Sequence, residues 1–172
     1  MFYRNASGIV IGVLNDYNLS SIRNVPSGQE RTGTVPFMAM ALLTDKAIAG
    51  QVEHLYRHDA ESFIWVLTWV CLRYEGGKLL SQGRPLDSWL AVGANRCLEK
   101  KSSFLTALGD NNNHPSASHQ ENWEIALKCW EVIYIYYGPT RKYRNTSDRE
   151  IFRLWLQVHV KGHLPDDLMF GK

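Results

Sequence analysis

Residues 57–74 read RHDAESFIWVLTWVCLRY, and the interior of this stretch, Phe63 to Leu72, is apolar at every position except Thr68. A helix built from it would be apolar on all sides and would have to be surrounded by protein. It is too short for a bilayer, which takes ~20 apolar residues, and charges flank it, so it reads as a buried central helix. Asp59 falls in its first turn, where a carboxylate meets unpaired backbone N–H groups and the positive end of the helix dipole.

The rest of the chain must pack around this helix. At 172 residues it is about one domain long, enough to bury a core without disulfides. The net charge of +2, from 19 basic and 17 acidic residues, is too balanced to argue for nucleic acid or an anionic membrane as partner. Cys71, Cys97 and Cys129 are odd in number and widely spaced, without a C-x-x-C pair, which argues for reduced buried thiols. The opening MFYRNASG lacks a basic segment followed by an apolar run, so neither a signal peptide nor a transmembrane segment is expected, and the location follows as intracellular, cytoplasmic or nuclear.

Before the central stretch, Met1–Arg4 and Ile9–Leu14 are apolar runs around Asn5-Ala6-Ser7-Gly8, a pattern for a small β-hairpin over residues 1–14. From Asn15 to Thr34 no period of 2 or 3.6 survives, which predicts a long loop; such loops are commonly functional. Val35–Leu43 is a compact apolar run, and Thr44-Asp45 is placed to cap a short helix through Gln51. After the central stretch, Glu75-Gly76-Gly77-Lys78 breaks the helix and Pro85 to Trp89 starts a short one. Asn95–Leu108 fits one or two amphipathic turns. Gly109–Ser118 is a polar loop. Glu121–Tyr137 sets Trp123, Leu127, Trp130, Ile133 and Tyr134 at helical spacing until Gly138-Pro139 ends it. Ser147 is placed to cap a last helix carrying Ile151, Leu154, Trp155 and Val158. The expected fold class is mainly α.

Three pieces occur in a telling order: Asp16-Tyr17-Asn18 after the hairpin, Gly33-Thr34-Val35-Pro36-Phe37-Met38-Ala39-Met40-Ala41 at the loop's end, and Asp59-Ala60-Glu61-Ser62 opening the central helix. Together they resemble the D-F-G motif, the G-T-x-x-Y-x-A-P-E segment and the D-x-W-S helix of protein kinases, in wording nearest the fungal-type protein kinases. The resemblance covers roughly residues 1–74. It implies a partial kinase-like C-terminal lobe, a single domain over 1–172: hairpin 1–14, metal motif and activation segment 15–43, central buried helix 57–74, and C-terminal helices 75–172.

By that resemblance Asp16 is the metal ligand that would hold Mg²⁺ and with it ATP, Mg-ATP being the family's cofactor; hard oxygen ligands suit that ion. Taken alone, Asp16 reads as a turn-forming or helix-capping aspartate, and the neighbouring motifs bring the two readings level. Tyr17 would pack under the loop, and Asn18 can visit positive φ where the motif has Gly. Thr34 and Phe37 belong to the segment that receives the substrate, although Thr34 alone is an ordinary loop threonine. Asp59 would support the catalytic loop's backbone, or simply cap its helix. Kinases end the second motif with a Glu paired to a distant Arg; here that position is Ala41, so the pair is absent.

The resemblance implies ATP-dependent phosphorylation of protein Ser or Thr, with a protein substrate or partner protein, ATP in a full-length form, and neither nucleic acid nor membrane. Yet the sequence holds no Gly-rich loop, strand Lys, or catalytic-loop Asp and Asn, so no catalytic residue lies within it. It reads as beginning just after the catalytic Asn, which makes it a fragment or truncated form inactive by itself. The alternative is a non-catalytic, pseudokinase-like protein-interaction module. His54 and His58, four apart with Asp59 adjacent, have a spacing compatible with metal binding but no evident third ligand.

Overall fold

A computed structural model of the chain describes residues 2–4, 6–8, 10–12, 33–109, 113–138, 146–147 and 150. The described residues are mainly helical. They divide into two units, Met1–Thr32 and Gly33–Lys172.

In the first unit, β1 (Phe2–Arg4) pairs antiparallel with β2 (Val10–Gly12), Tyr3 opposite Ile11, as the apolar–turn–apolar pattern predicts. Gly8 turns the chain at a φ of 78°, which glycine adopts without a Cβ penalty, and the Arg4 guanidinium donates to its carbonyl at 3.0 Å.

The second unit is built on α2 (Tyr56–Arg73), the central helix expected from residues 57–74. α1 (Asp45–Ile48) precedes it, capped by Thr44, whose hydroxyl accepts the Ala47 N–H at 3.2 Å. A two-residue turn, Gly76-Gly77, both at positive φ, closes α2 with the hairpin β3 (Tyr74–Glu75) and β4 (Lys78–Leu79); positive φ at both central residues is what such a turn demands. α3 (Ala94–Thr106) is longer than the one or two turns expected, and α4 (Gln120–Tyr137) ends at Gly138 as the sequence predicts. Ser147 accepts the Glu150 N–H at 3.2 Å, in keeping with a cap; the helix expected beyond it lies outside the described residues.

The core lies where α2, α3 and α4 meet. Trp65, Trp89, Phe104 and Trp130 form one aromatic cluster, with the Trp65 and Trp130 ring centres 4.0 Å apart and Trp89 edge-on to Trp65 at 5.3 Å. The Trp130 indole N–H donates to the Thr68 hydroxyl at 2.8 Å, so the one polar residue in the apolar run of α2 is satisfied inside the core. At the foot of α2 the buried Arg73 stacks on Trp69 at 3.7 Å, pairs with Asp87 at 2.5 Å and donates to the Pro85 carbonyl, tying down the turn that leads to Trp89. Burial alone would raise the Asp87 carboxyl, but Arg73 and Arg84 outweigh it and hold it below its ordinary value.

The expected all-round burial of α2 does not hold. Phe63 is 63% exposed and Val66 40%, with Tyr56 two turns before Phe63 on the same side, while Ile64, Trp65, Thr68, Cys71 and Leu72 face the core. An unbroken apolar run carries no facial signal, so it cannot tell which side the neighbouring helices cover. No helix among the described residues is long and apolar enough to cross a membrane.

Candidate functional site

The segment 33–43, expected to receive a substrate, is two short 3₁₀ turns joined by an extended link. Val35–Phe37 forms the first, with Pro36 in its opening turn where a missing N–H costs nothing. Met38 and Ala39 are extended, with ψ of 145° and 146°, and Met40–Leu43 forms the second. Ala39, Met40, Leu42 and Leu43 are buried. Phe37 stands edge-on to Trp69 of α2 at 5.2 Å. An extended link between two tight turns leaves backbone groups without local partners, and such groups need partners from elsewhere when buried.

Three side chains supply them. Glu61 of α2 accepts the Met40 N–H at 2.8 Å. The Ala41 N–H reaches the Tyr137 hydroxyl of α4 at 3.2 Å, and that hydroxyl donates to the second oxygen of Glu61 at 2.7 Å. Lys101 of α3 donates to the Met38 carbonyl. Glu61 also accepts the Trp65 indole N–H at 3.1 Å, and the Lys101 ammonium lies 4.2 Å from the centre of the same Trp65 ring. The carboxylate and the ammonium thus flank one indole, each reaching back to segment 33–43.

Glu61 and Lys101 are both fully buried, 2% and 0% exposed. Desolvation raises the Glu61 carboxyl above its ordinary value, opposed by the Met40 N–H, the Lys101 charge, Tyr137 and Trp65. The Met40 N–H and the Trp65 indole N–H can only donate, and the Tyr137 hydroxyl donates to the second oxygen, an arrangement that suits a carboxylate. Burial likewise pushes the Lys101 ammonium down to about 7, against the pull of Glu61. The Tyr137 phenol is pushed well up by burial and by the adjacent Glu61, so it keeps its proton and donates.

An amine that loses its proton near neutrality is the raw material of a lysine nucleophile. Lys101, however, exposes no surface that a substrate could reach. The thiols of Cys71, Cys97 and Cys129 are buried, and desolvation raises each of them, so they are poor nucleophiles. The arrangement is an anchor for the segment.

Of the residues singled out in the sequence, Asp16, Tyr17 and Asn18 lie outside the described residues. Thr34 is exposed and its carbonyl accepts the Phe37 N–H at 2.8 Å; Phe37 is half-buried on Trp69. Asp59 is exposed and bonds His54 at 2.9 Å, while the helix's first turn is closed by His58, whose Nδ1 accepts the Leu55 N–H at 3.1 Å. Helix capping is therefore done by a histidine three residues in, where the sequence pointed to Asp59. Among the described residues no group of three His, Cys, Asp or Glu is placed to hold a metal ion.

Glu61, Lys101 and Tyr137 were not singled out from the sequence as site residues. The available signal was spacing: Lys101 falls in register with Cys97, Phe104 and Leu105 on the buried side of α3, and Glu61 lies one turn before Trp65. No curated protein and no solved structure shows a significant match to this chain. A family model described as fungal protein kinase matches residues 4–71, from β1 through segment 33–43 and most of α2, so that Glu61 falls inside the match and Lys101 and Tyr137 outside it. This part of the chain, residues 4–71, carries the signature of the fungal protein kinases.

Proposed function

We propose that residues 33–138 form the helical lobe of a fungal-type protein kinase and that segment 33–43 receives the protein substrate whose Ser or Thr accepts the γ-phosphoryl group of ATP. The observation that carries this reading is the fastening of segment 33–43 onto the buried helix α2 through Glu61, within the stretch that has the fungal protein kinase signature. A kinase needs this junction rigid, because phosphoryl transfer depends on positioning far more than on covalent chemistry. Asp16 would bind Mg²⁺, which draws charge from the phosphates. In the transfer the substrate oxygen bonds to the γ-phosphorus, the bond to the β–γ bridging oxygen breaks to release ADP, and the hydroxyl proton passes to a carboxylate base. The base and the phosphate-positioning Lys are not among these 172 residues.

The test joins the ATP-binding lobe and catalytic loop of a fungal protein kinase ahead of residue 1. The chimera should transfer ³²P from ATP to protein Ser or Thr, residues 1–172 alone should not, and Asp16→Ala in the chimera should abolish transfer. A folded chimera whose turnover is indifferent to Asp16→Ala would overturn the reading.

One observation favours a second reading, a non-catalytic protein-interaction module: the apolar residues Tyr56, Phe63 and Val66 stand exposed along one side of α2. A monodisperse monomer that binds no hydrophobic dye counts against it.

A further inference from the structure

The segment 33–43 lacks the acid that protein kinases use to pin theirs, since Ala41 occupies that position. The structure supplies another fastening. Three consecutive long helices, α2, α3 and α4, each send one side chain to a main-chain atom of the four residues 38–41: Glu61 to the Met40 N–H, Lys101 to the Met38 carbonyl, Tyr137 to the Ala41 N–H. These backbone groups sit at the extended link and at the first turn of a 3₁₀ helix, where no local partner exists. The anchors are coupled to each other, Tyr137 through its bond to Glu61, and Glu61 and Lys101 through the Trp65 ring between them.

We infer that Glu61, Lys101 and Tyr137 are positioning residues that together fix the conformation of segment 33–43, in place of an acid–arginine pair. That the fixed segment receives a protein substrate rests on the function proposed above; the fastening itself does not. A merely space-filling core would not direct three polar groups from three helices onto one short backbone stretch. Removing one anchor should therefore loosen residues 38–41 ahead of the helices.

The experiment is residue-resolved amide hydrogen exchange on the full chain. Tyr137→Phe keeps the ring and deletes the hydroxyl. It should speed exchange at Ala41 and Met40 on the order of tenfold relative to wild type, while amides in the middle of α2 keep theirs. Lys101→Met retains an unbranched stem of similar length and should speed the same two amides less, because it leaves their acceptors in place. It also serves if Tyr137→Phe fails to fold. Unchanged exchange at Met40 and Ala41 in the folded variants, or an equal rise throughout α2, overturns the inference. In the chimera described above, Tyr137→Phe should raise KM for the protein substrate several-fold and leave KM for ATP unchanged. Faster exchange with an inactive chimera keeps the fastening and overturns the kinase reading; unchanged exchange overturns the fastening whatever the chimera does.

Discussion

Lys101 makes the stability of the chain depend on alkaline pH in a direction that can be worked out beforehand. Burial lowers its ammonium from 10.5 to about 7. Between those values the unfolded chain holds a proton that the native chain has released, so native stability must rise with pH across that window. The contribution is complete above 10.5, is lost progressively as pH falls to about 7, and is flat below. The gap corresponds to about 5 kcal/mol in all, and to about 2–3 kcal/mol between pH 7 and 9. Other groups facing the ammonium also titrate: Glu61 from α2, Cys97 one turn back on α3, and Tyr137 through its bond to Glu61. Glu61, raised by burial, contributes with the opposite sign: its contribution is present below 4.5 and is lost as pH rises through its raised native value. Urea unfolding of wild type and Lys101→Met at pH 6 to 10 reads the lysine: titrations that do not sense the ammonium cancel in the difference, and Glu61, raised further where the ammonium is missing, destabilises the variant as pH rises and adds to it. Wild type should gain about 2–3 kcal/mol on the variant between pH 7 and 9. A difference that stays flat or falls over that interval refutes a buried, proton-releasing Lys101.

Trp130→Phe removes the indole N–H that bonds Thr68 and part of a ring stacked 4.0 Å from Trp65; it should cost about 2–4 kcal/mol in urea unfolding, and a cost under about 0.5 kcal/mol would contradict the packing. The three thiols, with Cys71 pushed up to about 11 and Cys129 to about 12, should resist an aromatic disulfide reagent at pH 8 until urea unfolds the chain; rapid labelling of the native protein would show the core to be more open than described.

The parts of the fold that rest on local chemistry were legible in the sequence. Gly76-Gly77 marks the break after the central helix, Thr44 marks a helix start, and Gly138 marks a helix end; the hairpin that the two glycines turn at positive φ was not read from the sequence. What the sequence hid is what depends on distant partners. The apolar run 63–72 foretold a buried helix but not that Phe63 and Val66 would stay exposed, because the helices that decide it come later in the chain. Tyr134 shares the helical spacing of Trp130 and Ile133 yet is 51% exposed, while the small Ala126 and Cys129 take the buried face of α4. The anchors of segment 33–43 were hidden for a further reason: Glu and Lys are ordinarily surface residues, and nothing local announces that Glu61 will meet a tyrosine 76 positions away.

All three anchors grip main-chain atoms, and this sets how the segment can change over evolutionary time. An ion pair between two side chains constrains both, so that either can drift only if the other follows. A peptide N–H or carbonyl is present whatever side chain it carries. The half-buried residues 38 and 41 are therefore free, as far as these bonds are concerned, to vary with the demands of whatever docks on them, while Met40 is held by the core. The burden falls on Glu61, Lys101 and Tyr137, which have no such latitude. A family of sequences related to this one should accordingly vary more at positions 38 and 41 than at Glu61, Lys101 and Tyr137.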